Sequence, residues 1–140
     1  MVLAMQAHAQ PAAAADTKLL GLWMTEDRQG IVRLEPCGPA YCGRVVGISD
    51  FPAGGLRDIH GARQCGLIIV NGLRPGDDGR RHGTITNPDD GRVYDAQMWV
   101  PADGDLRLRG YVGLPIFGST QRWPAFHGSV TADCHFAPKP

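Results

Sequence analysis

HGTITNPDDGRVYDAQMWVPADGDLRLRGYV, residues 82–112, writes three strands and two turns in order. HGTIT (82–86), VYDAQMWV (93–100) and LRLRGYV (106–112) carry the β-branched and aromatic residues of strands. Between them, NPDDG (87–91) and PADGD (101–105) are hairpin turn chemistry. Successive strand residues point to opposite faces. Tyr94, Ala96, Met98 and Val100 therefore share one face, and Val93, Asp95, Gln97 and Trp99 the other. The first set is the better core face. Trp99 is expected outside, or paired with Tyr111 across the hairpin. Leu106, Leu108, Gly110 and Val112 give the next strand an apolar or small face, with Arg107, Arg109 and Tyr111 opposite. The result is a meander with one buried side.

The pattern continues outward in both directions. Residues 21–25, 30–35, 41–48 and 66–70 read as earlier strands, and 118–123 as a last one. The fourth, GLIIV, is apolar throughout and is expected to be buried on both faces. Residues 74–81 read as an exposed turn, and 49–64 as a long loop that could act as a lid. Residues 13–20 are the one weak helical stretch. Nineteen glycines and eleven prolines in 140 residues argue for short strands and many turns, against a helical bundle. The expected fold is all-β: a single antiparallel up-and-down β-barrel of about eight strands, since closure removes the exposed sheet edges.

Charge is balanced, with 14 basic and 14 acidic residues and no concentrated positive footprint, which argues against a nucleic-acid partner. The uncharged start, MVLAMQAHAQPAAAA, contains Ala7-His8-Ala9, a small-x-small cleavage pattern. Residues 1–18 read as a residual signal peptide and flexible leader, and 19–140 as the barrel domain with a C-terminal tail. No apolar run reaches membrane-spanning length, so the chain is not expected to span a membrane.

Four cysteines, Cys37, Cys42, Cys65 and Cys134, form an even set, which in an exported chain favours disulfides. Cys37 and Cys42 lie at facing ends of a predicted hairpin, close enough to bridge. Of the three pairings that four cysteines permit, 37–42 with 65–134 is expected, the second tying down the tail. A zinc site built from all four cysteines, or from cysteines and histidines together, is the rival, but there is no second close pair.

Gly21-x-Trp23, Cys42-Gly43-Arg44-Val45-Val46, Gly66 with its following strand, and Asn87-Pro88-x-x-Gly91-x-x-Tyr94 occur in that order. Leu106-x-x-Arg109-Gly110-Tyr111-x-Gly113 and Thr120-x-x-Trp123 follow. From Gly21 to Trp123 the chain resembles the exported bacterial domain-of-unknown-function family 2147. The resemblance implies a lipocalin-like barrel and a periplasmic or secreted location, with no activity assigned. The family tends to end Trp-Thr-Arg, whereas Trp123 is followed here by Pro124-Ala125. A lipocalin-like barrel often packs a late Arg over its first-strand Trp. Position 125 cannot do so here, and alternation puts Arg122 on the face opposite Trp123.

Catalytic patterns are sparse. Asp58-Ile59-His60 could orient a general base, but no serine sits in a nucleophile elbow. The turn aspartates, Asp89-Asp90 included, lack calcium-loop spacing. Neither catalytic residues, metal ligands nor a cofactor are expected. Aromatics are the most suggestive group. The expected ligand-binding residues are Trp23, Arg44, Tyr94, Met98, Tyr111 and Trp123, around a small hydrophobic or amphipathic molecule held in the barrel. A filled barrel that docks an envelope protein through an exposed apolar patch is the alternative. A hydrolase using Asp58, His60 or His82 is the third reading.

Overall fold

The computed structural model describes residues 17–49 and 55–138. Residues 1–16 of the expected leader, and part of the 49–64 loop, lie outside the described residues. Of the weak helical stretch, Thr17–Leu19 forms one 3-10 turn.

Eight strands follow one another in a single antiparallel sheet, each paired with the next. They are β1 (Gly21–Met24), β2 (Gly30–Cys37), β3 (Ala40–Ile48), β4 (Ile68–Pro75), β5 (Arg81–Thr86), β6 (Val93–Trp99), β7 (Leu106–Tyr111) and β8 (Ser119–Trp123). A short hairpin, β9 (Ser129–Val130) with β10 (Phe136–Ala137), follows. The sheet curls until its ends meet. Met24 N–H donates to the Pro124 carbonyl at 2.8 Å, and Phe126 N–H donates to the Leu22 carbonyl at 2.9 Å. These bonds join β1 to the segment just after β8 and give a nearly closed barrel. The Glu26 carboxylate accepts the backbone N–H of Arg122 at 2.7 Å, satisfying one more donor of β8 at the seam.

The registers show what lies inside. Trp23 pairs with Val32, Val32 with Val45, Ile85 with Tyr94, Gly83 with Ala96, Met98 with Leu108, and Leu106 with Trp123. Tyr94, Ala96 and Met98 thus face inward, as the alternation requires. Trp99 faces outward beneath the Arg80 guanidinium, 3.6 Å from the ring centroid. It is opposite Arg107, while Tyr111 is opposite Asp95, so the two aromatics do not pair.

β4 runs further than its apolar run predicts. Ile69 and Val70 are both buried, and the strand continues through Asn71-Gly72-Leu73 by a bulge, with Gly72 at φ +63°. There the β4 backbone passes over Gly83, where a Cβ would stand 2.3 Å from the Asn71 carbonyl oxygen. Glycine lets the two backbones approach this closely.

One end of the barrel is packed solid. Leu19, Trp23, Leu34, Leu73, Met98, Leu106 and Trp123 are all buried there. Leu19 closes that end from below, its carbonyl accepting the Trp23 indole N–H at 2.8 Å. Arg81 points into this end as well, stacked 3.6 Å over Tyr41, and its Nη1 donates to the Leu73 carbonyl at 2.8 Å. The Cys37–Cys42 disulfide pins the β2–β3 turn at the same end, with Cα atoms 5.7 Å apart. The Cys65–Cys134 disulfide ties the tail to the loop before β4. Phe126 and Phe136 meet edge to face at 5.7 Å, and Gly47 lies under Phe136, where a Cβ would come within 2.9 Å of its ring. The tail therefore covers the outer surface of β3.

Candidate ligand cavity

The other end of the barrel is hollow. Strand direction brings four connections to it, whose described residues are 25–29, 49 with 55–67, 87–92 and 112–118. Beneath them are two adjoining spaces of about 400 Å³ and about 710 Å³, which share Ile69, Asn87, Pro88 and Gln121 as walls. Both fall in the size range of small-molecule sites. The smaller space has an apolar wall of Ile69, Ile85, Leu108 and the ring of Tyr94. Gln121 and Ser119 of β8 point the same way as Trp123, yet both are exposed, because the interior is open at their level.

Residues 55–66 lie across part of the opening. Leu56 packs against the barrel core, and Gln64 is buried at 5 % exposure. The Gln64 amide donates to the Asp89 carboxylate and to the Arg57 carbonyl, each at 3.1 Å. Ile59 N–H donates to the Pro88 carbonyl at 2.9 Å. These bonds hold residues 55–66 against the turn that joins β5 to β6.

Of the six residues expected to bind ligand, Tyr94 lines this space. Trp23, Met98 and Trp123 face inward too, but at the packed end, at 5 %, 0 % and 2 % exposure. They form the floor below the cavity. Arg44 and Tyr111 face outward. Arg44 pairs with the Glu35 carboxylate at 3.0 Å and donates to the Gly66 carbonyl at 2.8 Å. Strand alternation alone assigns the outward face to both, and aromatic content alone does not separate floor from cavity. Gln121, Ser119, Asn87 and Ile85 line the cavity and carry no sequence signal except their position on an inward face or an end turn.

The Asp58 carboxylate accepts the backbone N–H groups of His60 and Ala62 at 2.9 and 2.8 Å, closing a local turn. The one close His, Cys, Asp or Glu trio among the described residues is Glu35, Cys37 and Cys42, whose sulfurs are bonded to each other. Shifted carboxyls sit away from the cavity. His82, hydrogen-bonded to Asp78, holds that carboxyl below its ordinary value; Arg107 does the same for Asp103, and the Thr131 hydroxyl for Asp133.

A family model described as an uncharacterized protein conserved in bacteria, DUF2147, matches residues 21–124. The chain belongs to the DUF2147 family. Among curated proteins, none is similar enough in sequence to be matched. In structure the barrel is similar to protein HP1028 from the human pathogen Helicobacter pylori, described as belonging to the lipocalin family. The TM-score is 0.65 at 16 % identity, covering 78 % of this chain and 83 % of that one. At that identity the likeness concerns the fold, which is the lipocalin-like barrel. The DUF2147 match ends at Pro124, so the residues that complete the barrel seam and carry Cys134 lie just beyond it. Among the described residues no helix is long and apolar enough to cross a membrane.

Proposed function

We propose that this DUF2147 protein is an exported binding protein that holds a small, largely apolar molecule in the open half of its barrel. The observation that carries this reading is the division of the interior. One half is packed to near-zero exposure, while the other leaves about 400 Å³ against Ile69, Ile85, Tyr94 and Leu108. A barrel evolved only as a scaffold has no need to leave an apolar wall wet. Two disulfides support a periplasmic or secreted location, where such bonds persist. Native mass spectrometry of protein taken from the cell envelope tests the reading, together with titration of an apolar fluorescent dye. Dye uptake in the native chain, lost in Ile85→Trp at unchanged stability, is expected. Absence of both a co-purifying molecule and dye uptake overturns it.

One observation favours a second reading, docking of an envelope protein. The exposed large apolar side chains among the described residues are Ile59, Val93, Val112, Leu114 and Ile116. All five lie at the open end. Val112, Leu114 and Ile116, at 68 %, 60 % and 74 % exposure, form an apolar lip on one connection. A photo-crosslinking residue at position 116, compared with one at position 80 on the closed end, tests this in intact envelopes. Adducts from position 116 alone support docking; equal yields oppose it.

A further inference from the structure

Trp123 and Gln121 stand two residues apart on the inward face of β8. The Trp123 indole N–H donates to the Gln121 side-chain carbonyl at 2.8 Å. An indole nitrogen can only donate, so the amide has one allowed orientation: oxygen toward Trp123, NH2 away from it. Trp123 is 2 % exposed and belongs to the packed floor, so this anchor does not turn. The Gln121 NH2 is left facing the space that Gln121 lines, with no hydrogen-bond acceptor among the described residues.

Asn87, across the same space, repeats the arrangement. Its carbonyl accepts the Asp89 backbone N–H at 2.9 Å, and a backbone N–H also only donates. The Asn87 NH2 is therefore its remaining polar group. Tyr94, Ser119 and Thr86 are the hydroxyl-bearing residues that line the smaller space with them. Two amides fixed as donors and these hydroxyl-bearing residues meet an apolar wall of Ile69, Ile85 and Leu108.

The charge around this set decides which acceptor fits. The described residues lining the two spaces include no Lys, Arg or His, while Glu26, Asp27 and Asp89 line the wider one. An anionic head would have no counter-charge and would sit near carboxylates. A neutral acceptor meets fixed donors without that penalty.

We infer that the cavity selects an uncharged molecule with a carbonyl-type acceptor, such as an ester, amide or ketone, on an apolar body, and that Gln121, oriented by Trp123, is the selecting residue. This rests on the binding reading above and names its ligand class.

The test uses the oxidised full chain and four probes that share one twelve-carbon tail: the alkane, the methyl ester, the carboxylate and the primary ammonium. The methyl ester is expected to bind more tightly than the other three. Gln121→Leu should bring the ester down to the alkane, a loss of roughly 3- to 10-fold for one neutral hydrogen bond, with alkane affinity unchanged. Gln121→Glu keeps the shape and the bond from Trp123 but presents a carboxylate oxygen instead of an NH2. It should invert the order, so that the ammonium probe binds best. An ester preference that is absent in the native chain, or that survives Gln121→Leu, overturns the inference while leaving the cavity reading intact. Failure of every probe, the alkane included, instead removes the cavity reading.

Discussion

Trp23 and Ala125 form the bridge at which the barrel meets itself, one residue beyond the family match. On either side of it, Met24 N–H donates to the Pro124 carbonyl and Phe126 N–H to the Leu22 carbonyl. Position 125 thus joins the seam through its backbone. Arg122 faces outward, with its Nε 2.8 Å from the Asp105 carboxylate.

Met24→Pro removes one donor of this seam. Met24 directs its N–H away from β2, so the β1–β2 ladder keeps its own bonds. A loss of at least about 1 kcal/mol in unfolding free energy is expected, from the hydrogen bond alone. Amide hydrogen exchange should speed up at Phe126. An unchanged denaturation midpoint with unchanged exchange would show that the seam carries no stability.

The two disulfides should differ in weight. Cys65 and Cys134 are 69 residues apart, whereas Cys37 and Cys42 are 5 apart. Chain entropy assigns roughly 4 kcal/mol to the long loop and roughly 2 kcal/mol to the short one. Paired alanine variants in urea should reproduce that order. Thiol titration of the native protein should find no free thiols, and thiols at Cys37 and Cys42 would reopen the metal and redox readings.

Gly83→Ala places a methyl 2.3 Å from the Asn71 carbonyl oxygen and 2.9 Å from Leu73 N. These are backbone atoms held by the β4 bulge, so no side chain can swing aside. Overpacking of this kind costs about 1–3 kcal/mol. Thermal unfolding checks it, and a variant as stable as the native chain would mean the bulge is free to shift.

Asp103 should contribute acid sensitivity. The hydrogen bond from Arg107 comes first, then the backbone N–H of Asp105 and the charges of Arg107 and Arg122, and together they hold its carboxyl below the ordinary 3.8. The folded state therefore binds this proton less readily than the unfolded state. Its contribution is full above 3.8 and is lost as pH falls through the lowered folded value. Asp103→Asn should lower the neutral plateau slightly, since the carboxylate is well exposed, leave stability at the acid end unchanged, and so make the fall between the two shallower by the same amount. An unaltered acid limb would remove Asp103 from the account.

The meander was legible because each strand announces itself locally. Tyr94, Ala96 and Met98 alternate with outward residues, and NPDDG and PADGD can hardly be other than turns. The extent of β4 was not legible. Asn71-Gly72 reads as a break, and only its passage over Gly83 turns that break into a bulge. For the cavity, inward face was readable but depth was not. Met98 and Tyr94 share one face of one strand, yet Met98 is in the floor and Tyr94 lines the cavity.

Period-two alternation and turn chemistry are properties of neighbouring residues, so the sequence by itself determined an all-β meander and most of the side chains that face inward, though Val112, expected on the inward face, is 68 % exposed on the connection after β7. Three things depend on residues far apart in the chain. Leu19, Trp23, Met98 and Trp123 fill one end. Residues 124–126 find β1. Trp123 turns the Gln121 amide toward the open half. Packing volume, seam register and amide orientation are fixed only when the sheet curls, and so the tertiary structure alone decided where the barrel is solid, where it is hollow, and which donors face the hollow.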